Sequence, residues 1–334
     1  MGRRALAPVI VHSAPLVLPV CAEPVRDGAV AIRGDRVLRV GARAEVLSRL
    51  PVAREHRWAG MIVAGLVDAR STVHSTAPGV TARASVVADL TDPAGAPGIT
   101  YVEVTSAGEE EWEERERDAV ITAIREVDRP CAVGIAARTR HPQVLEDVAV
   151  LARTFGLRLL VDLDRHSPAA LDEARVLGPL CHVACARPLD PGERKLLRLR
   201  DTVVAVCPAE PSLAPDALTL LDEGNAVAFG TGPPGPPALR VGPLDVAAAI
   251  RRHAREFGLR TRGLDRRLVE AATLGGARAL GMDRGQGRIG SLAPGARADF
   301  AVFDARGRYP YAALLAQPPC LGTVVGGDLV TVTP

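Results

Sequence analysis

The amino-acid sequence predicts an α/β fold in which eight strands alternate with helices, as in a (β/α)8 barrel. Short apolar segments and amphipathic helical patterns follow one another through the middle of the chain, and turn-punctuated strands lie near both ends. The predicted barrel strands are 61–69, 84–90, 99–105, 131–137, 158–163, 181–187, 202–207 and 226–231. The predicted helices are 109–128, 142–155, 168–177, 190–199, 212–223, 244–258 and 266–281.

Helix ends and faces support these assignments. In 109–128, Val120 and Ile124 lie on one apolar stripe, as expected for a helix that packs on a sheet. Gly156 favours an end for 142–155, and Asp190 or Gly192 favours a start for the helix that runs to residue 199.

The connections at the start of the barrel are short. Residues 75–84 and 91–98 leave too little chain for a good crossover helix. We therefore expect a trimmed barrel in which the first two helices are absent or rudimentary. The outer side of its first three strands is then expected to be exposed and covered by a homodimer partner or an active paralogue.

The sequence predicts short strands joined by tight turns near both ends of the chain. Residues 9–12, 16–20, 29–33 and 36–40 alternate with glycine-containing turns, and Gly34-Asp35 occupies a hairpin position. Residues 300–303, 321–325 and 329–332 repeat this pattern near the carboxyl end.

Composition excludes several classes of function. The net charge of +2 is too balanced to indicate a nucleic-acid or membrane partner. The six cysteines form no CxxC pair and no secreted-type framework, so reduced thiols and a cytoplasmic location are expected. The apolar run at the amino end is broken by Pro8, His12 and Pro15, which argues against a signal peptide or a membrane span.

Three stretches resemble the amidohydrolase superfamily: GLVDA at 65–69, AATLGGARALG at 271–281 and GRIGSLAPGARAD at 287–299. The resemblance implies that both chain ends join into one composite β-sandwich, here 1–60 with 286–334, beside a barrel at 61–285. Shorter phrases, such as GITYVEV at 98–104 and HVA at 182–184, resemble cytosine-deaminase-like members, in particular the aminodeoxyfutalosine deaminases of menaquinone synthesis.

Such enzymes hold one divalent metal on histidines of strands 1 and 5 and an aspartate of strand 8, with a strand-6 histidine and a glutamate assisting. The metal makes hydroxide from water at neutral pH. The corresponding positions in this sequence carry other residues throughout: Arg70, Thr72, Asp162, Arg165, Cys185 and Gly232.

Several alternatives stay open at these positions. Arg70 either occupies the place of the metal and pairs with Asp162 or reaches into solvent from a shortened loop. Asp162 and Asp164, on one side of a strand, form either a rebuilt metal site with His74 or His166 or a polar barrel mouth, which is favoured. If Cys185 faces into the barrel, strand alternation turns His182 outward, so a cysteine–histidine pair is disfavoured.

We therefore predict a non-catalytic amidohydrolase homologue without a cofactor. It binds a small molecule or regulates an active paralogue in a deaminase pathway, with a pocket lined by Arg70, Thr72, Arg138, Asp162, Asp164 and Cys185. The alternative is an active hydrolase of C–N bonds other than peptide bonds, with a rebuilt zinc or iron site or with no metal.

Overall fold

Two eight-stranded sheets organise the molecule. The computed structural model describes residues 7–51, 53–71, 77–88, 97–126, 132–207, 214–232 and 241–330. The first sheet, here called the terminal sheet, draws strands from both chain ends. Its strands are β1 Val9–Leu18, β2 Val25–Arg33, β3 Arg36–Ala42, β4 Arg54–Arg57, β5 Met61–Ala64, β14 Phe300–Phe303, β15 Cys320–Val325 and β16 Asp328–Val330.

The second sheet is the barrel, in which all neighbouring strands are parallel and follow one another in sequence order. It is nearly closed, because the backbone after its last strand meets its first: the Gly232 N–H donates to the Arg70 carbonyl at 3.0 Å. The predicted fold class is thus confirmed. The barrel strands are β6 Leu66–Ser71, β7 Val80–Val87, β8 Gly98–Val104, β9 Ala132–Ala137, β10 Arg158–Asp162, β11 Cys181–Cys185, β12 Val203–Val206 and β13 Val227–Phe229.

The predicted strand 61–69 is in fact two strands, each in a different sheet. Met61–Ala64 pairs with β1 and β14 in the terminal sheet, and Leu66–Ser71 opens the barrel. Gly65 lies at the crossing, where a Cβ atom would come within 2.1 Å of the Thr81 hydroxyl. The chain therefore enters the barrel at this glycine rather than at the expected residue 61, since an apolar run looks alike in either sheet.

The helices lie mostly where the sequence predicts them, but the helix at 43–49, which packs on the terminal sheet, and the one at 310–314 were not predicted. They are α1 Arg43–Arg49, α2 Glu109–Glu111, α3 Arg117–Glu126, α4 Pro142–Phe155, α5 Pro168–Glu173, α6 Pro191–Leu199, α7 Ala214–Asp222, α8 Pro243–Glu256, α9 Leu264–Glu270, α10 Gly276–Ala279 and α11 Pro310–Leu314. The π-helical turn Trp112–Glu116 joins α2 to α3, and a second, Ala271–Gly275, joins α9 to α10. No helix in the described part of the chain is long and apolar enough to cross a membrane.

Helix ends follow local chemistry. Gly156 ends α4 in the left-handed conformation, at φ +65°, which glycine adopts at little steric cost. Asp190 starts α6 with a reciprocal capping box: its carboxylate accepts from the Glu193 N–H, and the Glu193 carboxylate accepts from the Asp190 N–H.

The first two connections of the barrel are short, as expected: residues 72–79 join β6 to β7, and residues 88–97 join β7 to β8. The described residues between β6 and β7 and between β7 and β8 form no helix. The outer side of these strands is nevertheless largely covered, because Val87, Val102 and Val104 are buried in the same core as Trp112. A partner that covers these strands stays a prediction.

The barrel interior is filled mostly by small side chains. One buried cluster takes members from every barrel strand, and Leu280 and Ile289 join it from the carboxyl-terminal part of the chain. These residues identify the inward face of each strand: Val67, Ala69, Ala82, Ala84, Ile99, Tyr101, Ala136, Leu160, Ala184, Val203, Ala205, Cys207 and Ala228.

Candidate functional site

A change of register in β6 accompanies the placement of Arg70 at the carboxyl ends of the barrel strands, here called the mouth. Asp68 pairs with Arg83 and Ser71 with Ser85, so β6 has one residue more than β7 in this interval. Such bulges re-aim side chains and are frequent beside functional sites. The Arg70 side chain is only 6% exposed, and its Nε donates to Asp162 Oδ1 at 3.3 Å.

Arg70 belongs to a network of four charges. Asp162 ends β10 on the inward face set by Leu160, and its Oδ2 lies 3.7 Å from Arg138 Nε. The same Arg138 Nε lies 3.2 Å from Glu103 Oε1. Two guanidinium groups and two carboxylates thus meet at the mouth with no net charge, as expected where charged side chains lose most of their water.

A second set of polar contacts lies where the chain after β13 meets β6, here called the barrel seam. Thr231 Oγ1 donates to Asp68 Oδ2 at 2.7 Å, and the Thr231 and Arg70 N–H groups both donate to Asp68 Oδ1 at 3.1 Å. Asp68 is 1% exposed. Burial raises its pKa to about 6, and the hydrogen bonds from Thr231 and Arg70 only partly offset this rise.

The raised pKa of Asp68 predicts a pH-dependent stability. Between about pH 4 and pH 6 the folded protein keeps a proton that the unfolded chain has released, so raising the pH favours unfolding. The free energy of unfolding contributed by this group should fall by roughly 2–3 kcal/mol over that interval and stay low above it. Urea unfolding of wild type and of Asp68→Asn at pH 4 and pH 7 measures the difference. Asp164→Asn, in an exposed turn, is the control, and parallel pH profiles for wild type and Asp68→Asn would contradict the prediction.

The structure brings together only part of the predicted pocket. Arg70, Arg138 and Asp162 meet at the mouth, and the buried Arg70–Asp162 pair is present. Thr72 and His74 lie outside the described residues. The position of Asp164 was predicted wrongly, because β10 ends at Asp162 and strand alternation stops there. Asp164 and Arg165 are exposed in the turn that follows.

The two faces of β11 are the reverse of the predicted ones. His182 lies inside the barrel, where its Nε2 is 2.9 Å from the Ala69 carbonyl oxygen and its ring meets the Tyr101 ring edge-on. Cys185 packs with the outer core, and its thiol donates to the Arg187 carbonyl at 3.1 Å. Burial raises the Cys185 pKa to about 11, so the thiol stays protonated at neutral pH and does not line the pocket.

Sequence reasoning missed two residues of the mouth. Glu103 shares the inward face of β8 with Tyr101, and this alternation within the predicted strand 99–105 was the available signal. Cys207 follows β12 on the inward side and is 2% exposed. A Cβ atom at Gly230 would lie 2.6 Å from the Arg70 Cβ and 2.8 Å from the Cys207 sulfur, so only glycine permits this close approach. Gly232, at φ +77°, completes the seam beside Cys207.

The described residues of the mouth do not fit a bound divalent metal. Glu103 and Asp162 each face an arginine, and the guanidinium of Arg70 lies against the carboxylate that a cation would need. His166 is buried nearby with no partner for its Nε2 among the described residues. Within those residues no three His, Cys, Asp or Glu side chains converge as a metal site.

Part of the chain matches a known protein family, and the whole fold is similar to that of several solved structures. Residues 179–330 match the model of the amidohydrolase family. A search of curated proteins finds no match. Guanine deaminase of E. coli superposes with a TM-score of 0.77 at 15% identity, over 99% of this chain and 100% of that one.

Two further solved structures are similar. The aminofutalosine deaminase of Helicobacter pylori has a TM-score of 0.76 at 12% identity, over 97% of this chain and 100% of that one. An adenosine deaminase of Xanthomonas campestris has a TM-score of 0.74 at 17% identity, over 97% of this chain and 92% of that one, and it contains bound zinc. At these identities the likeness establishes the fold.

The prediction that the protein has no cofactor is contradicted by these comparisons, since the similar Xanthomonas structure holds zinc. The predicted resemblance to the amidohydrolases is confirmed for residues 179–330, which match the family model, and the shared fold extends over nearly the whole chain. Residues 179–330 thus match the amidohydrolase family, and the chain as a whole has the fold seen in these solved structures.

Proposed function

We propose that the barrel mouth binds a small polar molecule and that the protein acts by binding or regulation in a pathway of C–N bond hydrolysis. One observation carries this proposal: the guanidinium of Arg70 is buried against Asp162, at the two strand positions where the family resemblance puts metal ligands. A guanidinium fixed there recognises hydrogen-bond acceptor groups of a ligand.

The side chains of the mouth indicate which chemical groups its ligand would carry. The side chains of Arg138 and Glu103 are 26% and 22% exposed, so both reach a molecule that enters the mouth. Arginine donates in a planar fork, and a carboxylate accepts from amino groups. A planar ring that carries a hydrogen-bond acceptor beside an amino group matches this pair, as in an amino-substituted nucleobase.

An active C–N hydrolase is the second candidate. The observation that favours it is the zinc-containing adenosine deaminase among the similar structures, together with the fact that the other two are also deaminases. The two candidates differ in turnover and in metal content, so one set of measurements separates them.

The test combines calorimetric binding with an ammonia-release assay, using adenosine and guanine as probes on protein purified without chelators. We expect binding of at least one probe without ammonia release. Arg138→Gln should weaken that binding about tenfold, the loss typical of a charge-assisted hydrogen bond. The matched control is Arg140→Gln, the same change at an exposed neighbouring arginine.

Steady ammonia release by protein that holds near-stoichiometric zinc would refute the binding role and establish the hydrolase. Failure of both probes to bind would refute the proposed ligand class. We further propose a cytosolic location, which the free cysteines of the described chain support, and a second copy or an active paralogue as partner.

A further inference from the structure

We propose that a cavity at the end of the barrel opposite the mouth binds a small anionic molecule. This basal cavity has a volume of about 320 Å³, at the lower end of the range for small-molecule sites. Gly224, Asn225 and Ala226, which precede β13, form one wall, so the cavity lies at the amino ends of the strands. It is therefore a separate site from the charge network of Arg70 and Asp162.

The lining of the basal cavity is cationic. Its charged residues are Arg266, Arg267 and Arg278 together with the single carboxylate of Glu270. Arginine binds carboxylates and phosphates through paired hydrogen bonds, so a guanidinium in this lining that lacks a close carboxylate is available to an anionic ligand.

Arg278 is the arginine least engaged by the protein itself. Arg266 is held by Glu23 and Glu270 at 2.8 and 2.9 Å, and Arg267 is held by Asp222 at 3.1 Å. The side chain of Arg278 is 52% exposed, and its nearest carboxylate among the described residues, Asp283, is 3.9 Å away. Asp283 also faces Arg284 at 3.6 Å, so Arg278 shares even this partner.

Two unusual backbone features border the same cavity. Val20 is 2% exposed and adopts φ +70°, a left-handed conformation that is strained for a β-branched residue. The opposite wall contains Ala271 and Gly275 from the π-helical turn, a feature frequent at functional sites. The left-handed residue and the π-helical turn each cost conformational free energy. That cost fits a cavity whose shape is retained for a ligand.

The cavity wall is also connected to the barrel seam. In the π-helical turn, a Cβ atom at Gly275 would lie 2.2 Å from the Val227 carbonyl oxygen, and the next residue, Gly276, packs as closely on Val67. Val227 is the first residue of β13 and Val67 the second residue of β6, the two strands whose far ends meet at the seam. An anion in the basal cavity thus contacts an element that both seam strands pack against.

The test is calorimetric titration of the full chain at low salt with inorganic phosphate, ribose 5-phosphate, citrate and uncharged ribose. We expect one-to-one binding of at least one anion and none of ribose; phosphate compounds and citrate distinguish a phosphate site from a carboxylate site. Arg278→Gln should weaken binding about tenfold. Arg284→Gln is the matched control, since Arg284 faces the same Asp283 from outside the cavity and is 90% exposed, and it should leave binding within about twofold.

A second measurement locates the bound anion. Cys21 lines the cavity and is exposed, so its rate of alkylation by iodoacetamide, followed by mass spectrometry, should fall severalfold when the anion is bound. This protection should persist in Arg138→Gln, which alters only the mouth, and should require about tenfold more anion in Arg278→Gln. The proposal would be overturned if no anion binds, or if Arg284→Gln weakens binding as much as Arg278→Gln does. It would also be overturned if only Arg138→Gln weakens binding, a result that would put the anion in the mouth.

Discussion

Replacing Asp162 with alanine is expected to lower the free energy of unfolding by about 3 kcal/mol, because the change leaves the buried guanidinium of Arg70 without its carboxylate. The side chain of Arg70 is 6% exposed, so water cannot replace the lost partner. Glu103, held near Arg138, compensates part of the charge and keeps the loss below the largest values seen for broken buried pairs.

Urea unfolding at pH 7 followed by circular dichroism measures this loss. Asp164→Ala, an identical change in the exposed turn two residues later, should stay within about 0.5 kcal/mol of wild type. The double variant Arg70→Met with Asp162→Ala should recover most of the stability, since an apolar chain of similar length removes the unpaired charge. A loss for Asp162→Ala no greater than that of the control would show that Arg70 does not depend on this carboxylate.

Substitution of Gly98 by alanine is expected to have the largest effect on stability, about 4 kcal/mol or more, because two penalties add. Gly98 begins β8 at φ +132°, a conformation that residues with a Cβ atom rarely adopt. The added Cβ would also lie 2.0 Å from the carbonyl oxygen of Arg83, the residue opposite it in β7. That atom is backbone, so relief requires displacement of the strand itself.

The matched control is Gly108→Ala. Gly108 has extended backbone at φ −160°, and nothing lies within 4 Å of its added Cβ, so the cost should be about 1 kcal/mol or less. The measurement is the midpoint of thermal unfolding, with soluble yield as the first indicator. Equal midpoints for the two alanine variants would show that β7 yields to the added methyl group.

The order and type of the elements could be predicted from the sequence because their signals are local. Helix α4 begins and ends at the predicted residues, since the apolar stripe and Gly156 both lie within one segment. The paired chain ends could be predicted from the family phrases at 65–69 and 287–299. Strand limits were less accurate: β7 runs from Val80 to Val87 rather than from 84 to 90, because apolar residues continue on both sides.

The mouth could be predicted only in part, and the errors share one physical cause. All five residues of β11 are buried, so the sequence carries no polar alternation to show which of His182 and Cys185 faces inward. A single bulge or a shift of one residue exchanges the two faces of a strand, as the register of β6 illustrates at Arg70.

The sequence by itself therefore determined the (β/α)8 architecture and its short first connections, and the family resemblance predicted an arginine and an aspartate at metal-ligand positions. Only the tertiary structure decided that Arg70 pairs with Asp162, that Arg138 joins Glu103 to the same network, and that His182 fills the interior. Periodicity and turn chemistry are properties of consecutive residues, whereas a site depends on register between strands that are far apart in the chain.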